Sequence, residues 1–183
     1  MVSVGKRVEN FTLPATGDQT LSLSDFSGRN LIVYFYPKDN TPGCTREGQD
    51  FRDLYKQFTA ANTDILGVSR DSVKVHGNFK TKHEFPFDLL SDSEESLCKQ
   101  FDVIHEKKLY GRTYMGIVRS TFLIDSKGIL QQEWRKVRVP GHAQAVLDVV
   151  KALDKIHTSQ FAGKIITKRK IKPDGKKQTP VCS

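Results

Sequence analysis

The sequence predicts one α/β domain, and three observations carry that prediction. An apolar run of β-branched and aromatic residues at 31–36 ends in a Pro, Gly and Asn cluster, as a buried strand that ends in a turn does. Apolar residues then recur at helical spacing from about residue 45. Two further strand-like runs at 119–125 and 129–135 precede a helical pattern at 142–156. Alternation of strands and helices of this kind indicates a sheet that is covered by helices.

Each element follows from its local pattern. The turn residues Pro14, Gly17 and Gly28 interrupt the first segment, which predicts an N-terminal β extension over about 11–26. The predicted strands are 31–36, 64–69, 119–125 and 129–135, and the predicted helices are 45–60, 72–83, 93–101 and 142–156. The turn at 125–128 joins the last two strands as a hairpin because its glycine tolerates positive φ. Together these elements predict a thioredoxin-like fold: a central mixed sheet flanked by helices.

The composition limits the classes of protein to which the chain can belong. The 183 residues are 37% hydrophobic and 27% charged, which fits a soluble chain with one sizeable core. No run approaches the length of a membrane helix, and the N-terminus lacks the apolar region of a signal peptide. The three widely spaced cysteines argue against a disulfide scaffold and against a zinc site. We therefore expect a reducing, cytoplasmic setting, no membrane association, no metal and no cofactor.

The C-terminal segment differs from the rest of the chain in charge. From Lys164 to Ser183 seven basic residues accompany one aspartate, so this segment carries most of the net charge of +8. This predicts a domain over 1–160 and a basic, disordered tail over 161–183. A solubilising tail is the preferred interpretation. Nucleic-acid binding or nuclear import through the tail is the alternative, although the segment lacks aromatic residues for stacking on bases.

Cys44 is the candidate nucleophile. It follows the strand at 31–36 and a Thr-Pro-Gly turn, and it lies in the first turn of the next predicted helix. Free backbone N–H groups and the positive end of the helix dipole favour a thiolate over a thiol at such a position. A thiolate is the form of cysteine that acts as a nucleophile. The competing interpretation, a small buried apolar residue, is disfavoured by the polar turn that precedes Cys44.

The residues around Cys44 resemble a known family. Pro37, Thr41 and Cys44 form the pattern PxxxTxxC, which is similar to the active-site motif of the peroxiredoxins. The surrounding YFYPKD (34–39), TPGCT (41–45) and FRD (51–53) resemble the peroxiredoxin Q subfamily, also called bacterioferritin comigratory proteins. The likeness continues in family order at FTLP (11–14), LSLSDF (21–26), GVSRDS (67–72), LSD (90–92), RSTFLID (119–125) and VPGH (139–142).

The resemblance implies a thiol-dependent peroxidase with named site residues. Cys44 would attack hydrogen peroxide or an organic hydroperoxide and become a sulfenic acid. Thr41 would hydrogen-bond the thiolate or the peroxide, with the backbone N–H groups of Gly43 and Cys44 facing the same space. Pro37 would shield the sulfur from water. Arg119 would stabilise both the thiolate and the departing oxygen.

Other polar residues have simpler interpretations. Glu47 is expected to pair with the helix dipole, although it could instead hold Arg119 or Lys38. The five histidines show no ligand spacing, and none is assigned a catalytic role. Phe85 is a less favoured candidate for the pocket lining.

The sequence departs from the resembled subfamily in its cysteines. The two positions where relatives carry a resolving cysteine hold Gln49 and Lys80 here. Cys98 has helical spacing with Phe101, which favours a buried structural thiol, and Cys182 ends the predicted tail. We therefore prefer a one-cysteine mechanism in which thioredoxin, glutaredoxin or a low-molecular-weight thiol reduces the sulfenic acid. Resolution by Cys98 or Cys182 stays open as a less favoured route.

Two other functions are alternatives to that of a peroxidase. A thioredoxin-like thiol–disulfide oxidoreductase would keep the fold, but the chain lacks the paired cysteine of that motif. A nucleic-acid-associated protein would depend on the basic tail. A monomer is the expected oligomeric state.

Overall fold

The centre of the fold is a mixed β-sheet. This computed structural model describes the backbone of residues 1–168 and the side chains of residues 1–160. In that part of the chain the sheet has seven strands in the order β2-β1-β5-β4-β3-β8-β9. These strands are β1 Thr12–Ala15, β2 Gln19–Ser22, β3 Asn30–Phe35, β4 Thr63–Ser69, β5 Asp88–Ser91, β8 Ser120–Ile124 and β9 Leu130–Arg135. Strands β3, β4 and β5 are parallel, and the other pairs are antiparallel.

Four α-helices, a 3-10 helix at Leu23–Phe26 and a separate hairpin complete the described part of the chain. The helices are α1 Pro42–Ala60, α2 Val73–His83, α3 Ser96–Gln100 and α4 His142–Lys168. The hairpin consists of β6 Ile104–Leu109 and β7 Arg112–Ile117, and these two strands pair only with each other. No helix in the described residues is long and apolar enough to cross a membrane.

The two faces of the sheet bury separate cores. Side chains alternate along β3, so Leu31, Val33 and Phe35 enter one cluster while Ile32 and Tyr34 enter the other. The first cluster includes α3 and the N-terminal strands. The second cluster packs beneath α1, α2 and α4 and contains Cys44. The two cysteines of the described residues, Cys44 and Cys98, therefore lie on opposite faces of the sheet.

Most predicted elements are present. The predicted strands at 31–36, 64–69, 119–125 and 129–135 correspond to β3, β4, β8 and β9 within about one residue at each end. The N-terminal β extension appears as β1 and β2. The predicted turn after β8 is closed by a hydrogen bond of 2.9 Å from the Gly128 N–H to the Asp125 carbonyl. The predicted thioredoxin-like arrangement is confirmed.

Three strands, β5, β6 and β7, were not predicted from the sequence. Strand β5 has only four residues, β6 carries four polar or charged residues out of six, and the first four residues of β7 are exposed, so none of the three gives a strong apolar signal. The sequence feature that could have indicated this hairpin is the Tyr-Gly turn between β6 and β7. Tyr110 and Gly111 both have positive φ, of 48° and 74°, as the two central residues of a tight hairpin require.

Two predicted helices have different lengths. Helix α3 covers only Ser96–Gln100 rather than 93–101, because Glu95 adopts a left-handed conformation at its N-cap. Helix α4 continues to Lys168, although the prediction ended it at 156 and began the tail at 161. No proline lies between Pro140 and Pro173, so no proline forces an earlier end of the helix. The rest of the predicted tail lies outside the described residues.

Candidate active site

The connection from β3 to α1 places Cys44. Helix α1 begins at Pro42, three residues before the predicted start, because proline is well suited to the first helical position. Thr41 is the N-cap, so Cys44 is the third helical residue. The Cys44 side chain is 2% exposed and belongs to the core beneath α1.

The first turn of α1 leaves backbone donors free. The N–H groups at the start of a helix have no acceptor within the helix, and Thr41 makes no side-chain hydrogen bond to cap them. Pro42 has no N–H, so Gly43 and Cys44 supply these donors. They provide the positive end of a 19-residue helix next to the thiol.

Arg119 lies next to the sulfur although it is 75 residues away in sequence. It directly precedes β8, whose first residue, Ser120, pairs with Phe35 at the end of β3. This register brings Arg119 to the same edge as the start of α1. One guanidinium nitrogen, Nη2, donates to Cys44 Sγ at 3.4 Å. The predicted meeting of these two side chains is therefore present.

Glu47 holds the other side of the Arg119 guanidinium, through a hydrogen-bonded ion pair between Oε2 and Nη1. The expectation that Glu47 chiefly pairs with the helix dipole is wrong, because α1 starts earlier than predicted and Glu47 lies beyond its first turn. Its spacing of three residues from Cys44 puts both side chains on one helix face. Oε1 has no hydrogen-bond partner among the described residues.

Burial and charge oppose each other in this ion pair. Burial raises the pKa of Glu47 to about 7, although the Arg119 cation acts in the opposite direction. Burial lowers the pKa of Arg119, but the Glu47 and Cys44 side chains raise it by more, so Arg119 remains charged. The guanidinium is thus a fixed cation that contacts the thiol and a buried carboxyl group together.

Gly43 allows the arginine to approach. A Cβ atom at this position would lie 3.1 Å from Arg119 Nη2, closer than side chains ordinarily pack. A larger residue would therefore push the guanidinium away from the first turn of α1.

Thr41 and Pro37 lie in the loop before α1, but their predicted roles remain predictions. The Thr41 hydroxyl donates to the Lys38 carbonyl at 2.9 Å, so in this structure its proton is not directed at the thiol. Pro37 is partly buried at the start of the same loop. Thr41 would reach a thiolate or a peroxide only after its hydroxyl proton turned away from Lys38.

Two further polar side chains lie near Arg119. Burial lowers the pKa of Lys107, on β6, and the Arg119 cation lowers it further. Burial likewise lowers the pKa of His142 to about 4, with a smaller contribution from Arg119. His142 is therefore neutral near pH 7, and its Nε2 is hydrogen-bonded to the Thr121 hydroxyl at 2.8 Å. No spacing in the sequence connects either residue with Arg119.

A buried polar cluster lies behind the loop. Asp39, Asp71 and His76 bring potential metal-ligand atoms within 4.8 Å of one another. Their facing atoms already form hydrogen bonds to each other and to neighbouring protein groups. We therefore assign no ion to this cluster. Phe85, the less favoured pocket residue, is buried against Phe79 and Phe87 and covers Gly48 of α1.

Comparison with known proteins identifies the family. The family model described as "AhpC/TSA family" matches residues 4–133. The chain belongs to the AhpC/TSA family. It is 54% identical over 145 residues to the peroxiredoxin Bcp of Xanthomonas campestris, covering 78% of this chain and 90% of the relative. It is 47% identical over 150 residues to the peroxiredoxin Bcp of Bacillus subtilis, covering 82% and 96%.

Solved structures agree in fold. A structure of the Xanthomonas campestris bacterioferritin comigratory protein superposes with a TM-score of 0.76 at 51% identity, over 79% of this chain and 92% of that one. It was determined in a study of alkyl peroxide reduction. The resemblance to peroxiredoxin Q and bacterioferritin comigratory proteins is confirmed, and the chain is a thiol-dependent peroxidase that uses a peroxide substrate and a thiol reductant.

The positions that hold resolving cysteines in the resembled subfamily have other roles in this peroxiredoxin. The Lys80 ammonium donates to Asp88 at 2.6 Å, which ties α2 to β5. Gln49 lies 3.5 Å from the His83 ring nitrogen. Cys98 is fully buried on the other face of the sheet, as predicted for a structural thiol. Cys182 lies outside the described residues.

Proposed function

We propose that Cys44 is the peroxidatic residue and that it reduces hydrogen peroxide and organic hydroperoxides by a one-cysteine mechanism. The observation that supports this most directly is the contact between Arg119 Nη2 and Cys44 Sγ, with the same guanidinium fixed by Glu47. A cation held beside a sulfur at a helix N-terminus favours the anionic nucleophile. It also stabilises negative charge that develops on an oxygen near the sulfur.

Peroxide reduction needs both a stabilised thiolate and stabilisation of the leaving oxygen. The Cys44 thiolate attacks one peroxide oxygen, a sulfur–oxygen bond forms, and the oxygen–oxygen bond breaks. The second oxygen leaves with the electron pair as hydroxide or alkoxide and takes up a proton. Arg119 and the N–H groups of Gly43 and Cys44 are the donors proposed to stabilise that leaving oxygen. Thr41 is proposed to orient the peroxide, and Pro37 to limit access of water to the sulfur.

The proposed reduction uses a thiol from outside the chain. A thiolate attacks the Cys44 sulfenic acid, a disulfide forms and water leaves; a second thiol then releases Cys44. Lys80 and Gln49 cannot form this disulfide, and Cys98 lies across the sheet. The Xanthomonas campestris peroxiredoxin Q was solved with serine replacing cysteine at its own positions 48 and 84. The same separation from Cys44 leads to Lys80 in this chain.

Three finer proposals accompany this mechanism. The reductant is thioredoxin, glutaredoxin or a low-molecular-weight thiol, since any of them supplies the missing second sulfur. The enzyme works as a monomer in the cytoplasm, where free thiols are kept reduced. Residues 1–160 form the peroxidase domain, and the basic segment after them is not needed for the reaction.

Intact-mass analysis tests the central proposal. The reduced protein is treated with one equivalent of hydrogen peroxide in the presence of dimedone, and the modified peptide is identified. We expect a single dimedone adduct on Cys44, because no second protein thiol captures the sulfenic acid first. A loss of two hydrogens without an adduct would instead reveal a disulfide and contradict the one-cysteine mechanism.

Replacing the other two cysteines provides the matched control. We expect Cys98→Ala and Cys182→Ala, separately and together, to retain peroxide turnover with dithiothreitol or with glutaredoxin and glutathione. We also expect over-oxidation of Cys44 at high peroxide, since its sulfenic acid waits for an external thiol. If either replacement abolishes turnover with thioredoxin and removes a Cys44 disulfide from the peptide map, that cysteine is the resolving residue.

A further inference from the structure

A group of buried polar side chains holds the loop that carries the proposed site residues. The loop covers residues 37–41 and joins β3 to α1, and we call it the active-site loop. Its Asp39 carboxylate and the His76 imidazole of α2 are both fully buried, and Nδ1 of the ring lies 2.7 Å from Oδ2 of the carboxylate. Tyr36 and Asp71 complete the group, which we call the loop anchor.

The loop anchor fixes both the side chain and the backbone of Asp39. The Tyr36 hydroxyl donates to Oδ1 of Asp39 at 2.6 Å. The backbone N–H of Asp39 donates to Oδ2 of Asp71 at 2.9 Å. Ser69 in turn donates to the same oxygen of Asp71 at 2.6 Å, so this carboxylate is itself held in place. The middle of the active-site loop therefore has no freedom to shift without breaking buried hydrogen bonds.

The atoms that can only accept hydrogen bonds show where the protons of the loop anchor lie. His76 Nε2 lies 3.0 Å from the Leu90 carbonyl oxygen, which can only accept, so Nε2 carries a proton. A second proton lies between Nδ1 and the Asp39 carboxylate. Burial raises the pKa of Tyr36, and the nearby Tyr34 and Asp39 side chains raise it further, so Tyr36 is a neutral phenol that donates. Each of these groups is satisfied, which makes the arrangement specific.

The loop anchor connects elements that are distant in sequence. His76 is the fourth residue of α2, Leu90 lies on β5, and Asp71 lies between β4 and α2. The active-site loop is thus positioned from α2, from β5 and from the connection between β4 and α2, and not from α1 or β8. None of the four anchor side chains forms a described hydrogen bond with Cys44, Arg119 or Glu47.

The active-site loop needs this support. Asn40 has a positive φ of 60°, a conformation that costs energy for a residue with a side chain. The next residue, Thr41, is the N-cap that sets where α1 begins. Arg119 approaches Cys44 from a different strand, at a hydrogen-bond distance of 3.4 Å. A small displacement of the loop would therefore change the distance between the nucleophile and its cation.

We propose that His76 and Asp39 are positioning residues for peroxide reduction: their buried pair fixes the active-site loop so that Cys44 and the free N–H groups of α1 stay aligned with Arg119. The proposal rests on the proposed function of Cys44.

The test compares two reactions of the same sulfur. Asp39→Asn and His76→Gln are prepared in the full chain, and oxidation of Cys44 by hydrogen peroxide is followed by stopped flow. Alkylation of Cys44 by iodoacetamide is measured in parallel, since it needs the thiolate but not the donors that stabilise a leaving peroxide oxygen. We expect peroxide oxidation to slow by about a hundredfold, the cost of a misplacement of about 1 Å, while alkylation changes far less.

Lys80→Met is the matched control. It removes an ion pair between the same helix and the same sheet without touching the active-site loop, so peroxide oxidation should keep the wild-type rate even if the unfolding temperature falls. The proposal is overturned if Asp39→Asn and His76→Gln are folded and oxidise Cys44 as fast as the wild type does.

A second variant covers the case in which both substitutions prevent folding. Tyr36→Phe removes one donor to Asp39 and keeps the buried ring, and we expect peroxide oxidation to slow more than alkylation. Unchanged oxidation in Tyr36→Phe would then overturn the proposal. If instead the proposed function of Cys44 is incorrect, the wild-type protein itself would not form a sulfenic acid at Cys44, so the two outcomes can be distinguished.

Discussion

Cys44 and Cys98 occupy nearly the same local position and have opposite electrostatic surroundings. Each is the third residue of a helix, and each side chain is buried. Cys44 accepts a hydrogen bond from the Arg119 guanidinium, whereas the buried Asp92 carboxylate lies beside Cys98. A helix N-terminus therefore does not make a cysteine a nucleophile by itself. The sign of the charge that the tertiary structure brings to the sulfur separates the two sites.

The surroundings of Cys98 oppose ionisation in two ways. Burial raises the pKa of the Cys98 thiol strongly, and the Asp92 carboxylate raises it further. Its helix is also short, with five residues against 19 for α1, so its terminus has a smaller dipole. These surroundings favour a structural role for the Cys98 thiol, which lies in the core on the opposite face of the sheet.

Replacing each cysteine by serine should give the largest contrast. Cys44→Ser is expected to abolish peroxide turnover, because a serine hydroxyl does not supply a comparable anion at neutral pH. Cys98→Ser is expected to keep turnover at the wild-type rate while lowering the unfolding temperature, since it puts a hydroxyl into the core. Peroxide consumption with excess dithiothreitol measures both variants. Turnover that persists in Cys44→Ser would contradict the role of this cysteine.

Removing the cation should have the next largest effect. Arg119→Met is expected to slow oxidation of Cys44 by about a hundred- to a thousandfold, the usual cost of losing one transition-state donor. Arg135→Met is the control, because Arg135 contacts the Phe122 ring and the carbonyls of Asp102 and Phe101 on the other side of the strand pair. Stopped-flow measurements compare the rate of Cys44 oxidation by peroxide in both variants with that of the wild type. A reduction of less than about tenfold in Arg119→Met would show that the guanidinium has no such role.

The buried carboxyl group that holds Arg119 should make stability depend on pH. The folded chain raises the pKa of Glu47 to about 7 from 4.5, so between these values the folded state binds more protons than the unfolded state. The free energy of unfolding of the wild type, relative to Glu47→Gln, should therefore fall by about 3 kcal/mol as the pH rises through this range. Urea unfolding of both proteins at several pH values measures the difference. A difference that stays constant with pH would contradict this assignment.

The smallest effect is expected at the carboxylate beside Cys98. Asp92→Asn removes the negative charge, but burial is the larger cause of the raised thiol pKa. We expect alkylation of Cys98 under native conditions to remain as slow as in the wild type. Stability should fall by about 1–3 kcal/mol, because Asp92 accepts hydrogen bonds from the Cys98 N–H and the Ser96 hydroxyl. Alkylation of Cys98 at a rate close to that of Cys44 would mean that charge, and not burial, protects it.

Local patterns predicted much of the fold. Strands β3, β4, β8 and β9 are apolar enough to be recognised, and the Thr-Pro-Gly turn indicated where Cys44 would enter a helix. Strands β6 and β7 were not predicted because they form a largely exposed hairpin, whose side chains do not alternate between apolar and polar. The start of α1 was placed three residues late, and this displaced Glu47 into the first turn.

The sequence by itself determined the candidate nucleophile, the motif around it and the absence of a thiol at the positions of Gln49 and Lys80, because each of these is a local property of the chain. The family resemblance named Arg119, but the tertiary structure decided how it meets Cys44 and placed Asp92 beside Cys98. Arg119 reaches Cys44 through the register between β3 and β8, and His76 reaches Asp39 through the placement of α2 over β5. Such contacts join residues that are distant in sequence, so no periodicity in the sequence could reveal them.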